Sequence, residues 1–288
     1  MLQAYRDPVL LGDERILQNL LHCEDKYAIR YMYFKCVQKD IKEYMRKMVA
    51  MWMLEICEEQ RCQSEVFPLA MNYMDRFLSV VGLQKSQLQL LGAVCLFLSS
   101  KLKETRPLSA EQLCMYTDNS ISLSELQAWE LLVLNKLKWD LSAITAYDFL
   151  DHILLRMPHI KENEMIRSHA QTFITLCATE FKFSMSPPSM IAAASIGAAV
   201  RGLTLPNQRW SSMRDLLLQL HSITGIEVDC LRECLEQIEE MVNTSLDKTS
   251  PALLPTSAPN SSVTAKVVKG DADHYKSETP TDVRDIHF

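Results

Sequence analysis

Glycine is scarce in this sequence, with seven residues in 288, where ~7% of positions is usual. No glycine-rich loop of the kind that cradles phosphate is present, and neither is a Rossmann fingerprint, an HExxH word or a GxSxG elbow. Few alternating apolar runs suggest strands. The nine cysteines, at 23, 36, 57, 62, 95, 114, 177, 230 and 234, contain no CxxC pair. An odd count, with Cys95 and Cys177 inside apolar helical runs, reads as reduced intracellular thiols and not as a disulfide framework. Cys230 and Cys234 share a helical face, but no histidine at matching spacing joins them, so packing is favoured over a metal. Basic excess is also lacking: the net charge of -6 speaks against a nucleic-acid-binding body. No uninterrupted apolar run reaches the ~20 residues a bilayer span needs, and no signal segment opens the chain. A soluble protein of the cytosol or nucleus is expected, acting by binding and calling for no cofactor.

What the sequence has in plenty is helix-forming residues: Leu, Met, Ala, Glu and Lys. A hydrophobic content of 48% is ample for a sizeable core, and the length fits one large or two ordinary domains. Six helical stretches fill the first half. They run from Asp13 to Cys23, Phe34 to Glu59, Glu65 to Val80 and Leu88 to Lys103, then from two capping boxes, Ser109-Ala110-Glu111-Gln112 and Ser122-Leu123-Ser124-Glu125, the second reaching Leu137. The Leu88 segment is apolar on almost every side up to Leu98, which marks the buried central helix of a bundle.

Five stretches follow in the second half. Thr145 caps a helix to Arg156 that Pro158 closes, and Glu164 to Phe181 comes next. Ser186-Pro187-Pro188 opens Ser189 to Val200, the positional counterpart of the central helix, ahead of Ser212 to His221 and Val228 to Leu246. Residues 247–288 hold four Pro, ten Ser or Thr, and only Tyr275 and Phe288 as aromatics. Such a segment buries too little apolar area to offset its ordering entropy, so a disordered tail is expected.

The segment Met45-Arg46-Lys47-Met48-Val49-Ala50-Met51-Trp52-Met53-Leu54-Glu55 carries apolar residues around most of its circumference. Met45, Val49 and Trp52 share one face, while Met48, Met51, Leu54 and Ile56 form a second. Such a helix is either central to a bundle or offers one face to a partner. Periodicity alone favours the core. Asp75, Glu104 and Glu130 have ordinary helical neighbours in sequence, and nothing in that pattern favours paired-carboxylate catalysis.

Taken with Pro68-Leu69-Ala70-Met71-Asn72-Tyr73-Met74-Asp75-Arg76-Phe77-Leu78, Leu88-Gln89-Leu90-Leu91-Gly92-Ala93 and Ser99-Ser100-Lys101-Leu102-Lys103-Glu104, this segment closely resembles the cyclin box. Further words, among them Leu137-Lys138-Trp139, His169-Ala170-Gln171-Thr172-Phe173 and Thr279-Pro280-Thr281-Asp282-Val283-Arg284-Asp285, resemble the D-type cyclins over nearly the whole chain. The resemblance implies an all-α fold of two tandem five-helix cyclin boxes. Its expected parts are an N-terminal segment with a short helix (1–32), two boxes (33–142 and 143–246) and a disordered regulatory tail (247–288).

It also implies a non-catalytic subunit that activates a G1 cyclin-dependent kinase, present in nucleus and cytoplasm. Lys101 and Glu130 would form a charged pair at the kinase interface, with Leu98 and Leu102 supplying apolar area. Met45, Val49, Trp52, Glu55 and Gln89 would line a docking groove for Arg-x-Leu-type peptides. The family usually has Ile or Leu where Met48 and Val49 stand, so groove shape is expected to differ. Thr279 would be a phosphorylation site leading to nuclear export and ubiquitin-dependent destruction. Implied partners are the kinase, retinoblastoma-family substrates, kinase inhibitor proteins and a ubiquitin ligase acting through the tail, with neither nucleic acid nor membrane.

The family's retinoblastoma-binding Leu-x-Cys-x-Glu motif finds only a near match in Leu21-His22-Cys23-Glu24-Asp25, and Leu21 reads as packing. The alternative from another class is a cyclin-fold transcription factor or scaffold without kinase activation. That class is expected to carry a basic face and often a zinc ribbon, and neither is found in this sequence.

Overall fold

The structure, a computed structural model, describes residues 6–161, 163–203 and 213–249, with side chains to Thr244 in the last span. Among them there is no strand. Two short helices, α1 (Pro8–Gly12) and α2 (Glu14–Cys23), come first, and α3 (Tyr33–Cys36) leads into the first bundle. That bundle is α4 (Glu43–Glu59), α5 (Val66–Leu78), α6 (Leu88–Lys103), α7 (Ala110–Tyr116) and α8 (Leu123–Lys136). The second is α9 (Ala146–Leu155), α10 (Glu164–Thr179), α12 (Pro188–Gly202), α13 (Met213–Thr224) and α14 (Val228–Thr249), with the short α11 (Phe181–Ser184) after α10. Each bundle has its own hydrophobic core.

The local signals act as their chemistry requires. Ser109 and Ser122 form reciprocal capping boxes with Gln112 and Glu125, and Thr145 forms one with Asp148. Pro188 opens α12, where its missing N–H costs nothing. The helix α6 is buried through Ser100, and the Ser99 and Ser100 hydroxyls donate back to the carbonyls of Leu96 and Phe97.

One helix expected to be continuous is broken and another ends two residues before the expected Phe181, each because of a distant partner. Between α3 and α4 the Gln38 amide donates to the carbonyls of Leu78 and Val81, both at 2.6 Å, and accepts from Leu83 N at 3.0 Å. Ile41 is fully buried and Lys42 is extended, so the chain leaves the helical path before α4 begins. Helix α10 ends at Thr179 because Arg46 takes the carbonyl oxygens of Ala178 and Thr179, and Glu180 turns extended before α11.

The N-terminal segment is a strap across both bundles. Leu17 is buried in the second core, while Tyr27 belongs to the first. Glu24 accepts from Ser189 N at 2.8 Å and from its hydroxyl at 2.7 Å. Burial pushes the Glu24 carboxyl up, with those two bonds working against it. Its neighbour Cys23 is exposed and Leu21 packs on the second core, so the near match to Leu-x-Cys-x-Glu is built into the fold. Helix α14 runs three residues past the expected Leu246. The tail beyond it, including Thr279, lies outside the described residues.

Candidate functional site

Two surfaces meet on α6. At its C-terminal end, where a cation suits the helix dipole, Lys101 Nζ donates to Glu130 Oε1 of α8 at 2.6 Å. The ammonium also lies 3.8 Å from the centroid of the Phe97 ring, one turn back. Lys101 keeps 43% of its side chain exposed and Glu130 keeps 19%, so the pair is held in place yet open to a partner.

Leu102 is 49% exposed beside Lys101, and α8 adds exposed Leu131 and Leu132. Leu98 corrects the expectation: at 3% exposure it is a core residue and offers no surface. It sits where α6 is still wrapped by the bundle, whereas Leu102 lies one turn further on, beyond the core.

The neighbouring residues brace this end. Lys103 bonds Glu65 at 2.9 Å and approaches Asp148 of the second bundle at 4.0 Å. Burial works against its charge, but Glu65 and Asp148 outweigh that and its pKa is raised. Glu104 accepts from Gln63 N in the turn that leaves α4.

The second surface lies on α4. Met45, Val49 and Trp52 are each partly buried against the first core, so each packs on the bundle with one side and keeps part of its surface open. The Trp52 indole points at Tyr116 O of α7, 3.4 Å away, and Glu55 is exposed. Gln89, half-buried on α6, stands one turn before Gly92. A Cβ at Gly92 would fall 2.8 Å from Val49 Cγ1 and 3.1 Å from Met53 Sδ, so α4 sits this close to α6 only because residue 92 is glycine. From Gln89 to Lys101 is about 18 Å of helix rise, which makes α6 a rigid spacer between the two surfaces. Tyr44, Met48 and Met51 add an exposed row at i, i+4 and i+7 on α4.

Sequence reasoning missed the buried ion pair that fixes α4. Arg46 donates to both Asp75 oxygens at 2.8 and 2.7 Å, with side-chain exposures of 1% and 2%. Tyr33 donates to Asp75 Oδ1 at 2.7 Å, and Arg46 also reaches Thr179 O at 2.8 Å and Ala178 O at 3.1 Å. Burial disfavours the guanidinium charge, yet Asp75 and Tyr33 more than compensate and hold its pKa up. This cluster joins both bundles behind the α4 surface. Asp75 therefore has no ordinary surroundings, although its sequence neighbours are ordinary. Among the described residues no group of three His, Cys, Asp or Glu side chains is placed to hold a metal.

Comparison with known proteins agrees with this architecture. The family profile of the cyclin N-terminal domain matches residues 15–142 and that of the cyclin C-terminal domain matches residues 144–257. G1/S-specific cyclin-D2 of Xenopus laevis is 55% identical over 99% of this chain and 96% of its own length. G1/S-specific cyclin-D3 of Homo sapiens is 53% identical over the same shares, 99% and 96%. In fold, a viral cyclin from herpesvirus saimiri superposes with a TM-score of 0.67 at 22% identity, covering 80% of this chain and 97% of that one. A chain of the yeast RNA polymerase II CTD kinase CTDK-1 complex also superposes, with a TM-score of 0.56 at 15% identity, over 84% of this chain and 77% of that one.

Proposed function

This chain belongs to the cyclin family, close to the D-type cyclins, and on that basis we propose that it is the regulatory subunit of a G1 cyclin-dependent kinase. The observation that carries the reading is the Lys101–Glu130 pair, held at 2.6 Å over Phe97 and bordered by exposed leucines on α6 and α8. A kinase of this class is active only when its strand lysine and helix-C glutamate pair, which requires helix C to move inward. A rigid surface that binds only the inward position shifts that equilibrium by its differential affinity. The α6–α8 end suits this role because it is backed by a packed core and does not need to deform. The charged pair sets orientation and the leucines supply area. Catalysis stays with the kinase.

The α4 face is the proposed docking groove, with Met45, Val49, Trp52 and Gln89 as its floor and Glu55 as the acceptor for the arginine of an Arg-x-Leu peptide. Retinoblastoma-family substrates and kinase inhibitor proteins are the proposed users. Phosphorylation of Thr279, followed by capture by a ubiquitin ligase, is the proposed control of lifetime, since a phosphate there adds strong acceptor oxygens beside Asp282 and Asp285.

The test is co-expression with a cyclin-dependent kinase, purification of the complex, and assay on two substrates. One is a retinoblastoma-derived fragment with a docking motif and the other a short peptide without it. Wild type should activate the kinase on both. Trp52→Ala should lower kcat/KM on the fragment roughly tenfold or more and leave the short peptide unaffected. A thermal melt of Trp52→Ala separates docking loss from core loss, which would cost about 3–5 kcal/mol. Failure of wild type to co-purify with or activate the kinase would overturn the reading.

A further inference from the structure

We propose that Cys57 and Cys62 form a dithiol that peroxide converts reversibly to a disulfide, a modification site at the C-terminal turn of α4. The backbone builds the pair. Cys62 N donates to Cys57 O at 2.9 Å and Arg61 N donates to Glu58 O at 3.1 Å, while Arg61 takes a φ of 53°. These are the two bonds and the left-handed residue of a Schellman motif, whose outermost pair of residues packs side chain on side chain. Here both are cysteines. The 6→1 bond between them brings the backbones together as a disulfide needs, its Cα atoms usually lying roughly 4.4–6.8 Å apart.

The two sulfurs are unlike. Cys57 is buried and Cys62 is partly exposed. The interaction with Cys62, then burial, pushes the Cys57 thiol well up, whereas the interaction with Cys57 lowers that of Cys62. Cys62 is thus the sulfur that more readily becomes thiolate and meets a reagent. It lines an open cavity of about 220 Å³ with Gln60, Glu104, Arg106 and Gln112, roomy enough for a small peroxide.

In the first step the Cys62 thiolate attacks a peroxide oxygen. An S–O bond forms, the O–O bond breaks, and hydroxide leaves to be protonated to water. In the second, Cys57 sulfur attacks the sulfenic sulfur and gives its proton to the departing hydroxide. The two thiols lose two electrons and two protons in all, and one hydrogen peroxide becomes two waters. A dithiol reductant restores the pair by exchange.

The site lies between the two surfaces already described. Gln60 donates to the Tyr116 hydroxyl at 2.5 Å, Tyr116 O faces Trp52, and Gln63 N donates to Glu104. Closing the disulfide draws Cys62 inward and disturbs the turn that holds these contacts.

The sequence supplies a clean readout. Trypsin cuts after Arg61, between the two cysteines, so a disulfide leaves peptides 48–61 and 62–76 joined and two hydrogens lighter than their sum. The full chain is treated with a small excess of hydrogen peroxide, blocked with N-ethylmaleimide, digested and weighed. The joined pair should appear, vanish on treatment with dithiothreitol, and be absent from Cys62→Ser, whose folding is checked by circular dichroism. Wild type should also bind one phenylarsine oxide, which needs two neighbouring thiols, and Cys62→Ser should bind none. Exposed Cys23, Cys36 and Cys230 serve as internal controls. If these oxidise while 48–61 and 62–76 stay separate, or if Cys62 stops at sulfenic or sulfinic acid without joining Cys57, the proposal is wrong.

Discussion

The two bundles solve the same problems with the same pairs of helices, yet only the first, among the described residues, borders its charged pair with exposed leucines. In each, an Arg–Asp pair joins the first helix to the second, with the polarity reversed: Arg46 of α4 meets Asp75 of α5, and Asp151 of α9 meets Arg167 of α10. In each, a cation thirteen residues into the central helix meets a glutamate of the last helix. Lys101, counted from Leu88, pairs with Glu130, and Arg201, counted from Pro188, pairs with Glu239 at 2.9 Å.

The surroundings separate them. Leu102, Leu131 and Leu132 lie exposed on α6 and α8, whereas no large apolar side chain is exposed on α12 or α14 among the described residues. Burial raises the Glu239 carboxyl, Arg201 pulls it the other way, and Glu239 Oε1 is buried without a hydrogen bond. A charged pair at the end of a central helix is therefore a shared device of the fold. The exposed leucines beside it are what set the first pair apart, and on the proposed reading they supply the kinase-binding area.

The largest effect that sharpens this contrast is on stability. Arg46→Met leaves Asp75 charged and enclosed, and should cost about 3–5 kcal/mol in urea unfolding. Arg167→Met should cost less, about 1–3 kcal/mol, because Asp151 stays 29% exposed and water can reach it. Equal losses would break the distinction between a sealed pair and an open one.

The central helices give the next contrast. Gly92→Ala forces its Cβ against Val49, a β-branched side chain with few rotamers, and should cost about 1–3 kcal/mol while deforming the groove. At Gly197 the clash is with Leu235 Cδ1, the mobile end of a longer side chain, at 2.7 Å. There the helix-propensity gain of about 1 kcal/mol offsets the shift, and Gly197→Ala should melt near wild type. Two equally lowered melting temperatures would contradict this.

The smallest expected effect depends on pH. Residues 33–142 contain no histidine, so titration of this kind belongs to the rest of the chain. His152 on α9 packs under α1, bonded to Leu11 O at 3.2 Å, with Arg156, Asp148 and Glu14 as its charged neighbours. Burial lowers its pKa, although the Leu11 carbonyl works the other way. The unfolded chain therefore takes up a proton first as pH falls below the ordinary histidine value near 6.5. Stability is full above that value and is lost as pH falls toward the lowered folded one. Wild type should lose more melting temperature than His152→Gln between pH 7 and 5.5, and parallel curves would remove His152 from the account.

How much of this is legible in sequence follows from how local each feature is. The capping boxes at Ser109 and Ser122 and the buried run from Leu88 are written in adjacent residues, so they read directly. Gln38 breaks one helix and Arg46 ends another through carbonyls about 40 and 130 residues away, and no local periodicity registers such a partner. Lys101 and Glu130, 29 residues apart, read by pattern alone as two solvated side chains or a structural ion pair; only the family resemblance placed them at a kinase interface. Leu98 and Leu102 share a helical face, but the core ends between them, and a sequence does not say where a core ends. Cys57 and Cys62 look unrelated until the turn at Arg61 places them side by side.

The claim that apolar context makes the first pair, and not the second, a kinase contact is tested most directly by calorimetric titration of a cyclin-dependent kinase with Lys101→Glu and Arg201→Glu. Both proteins should keep wild-type circular dichroism. Lys101→Glu should lose about 2–5 kcal/mol of binding free energy, while Arg201→Glu should bind as wild type does. Undiminished binding by Lys101→Glu, or equal weakening of both, would contradict the account.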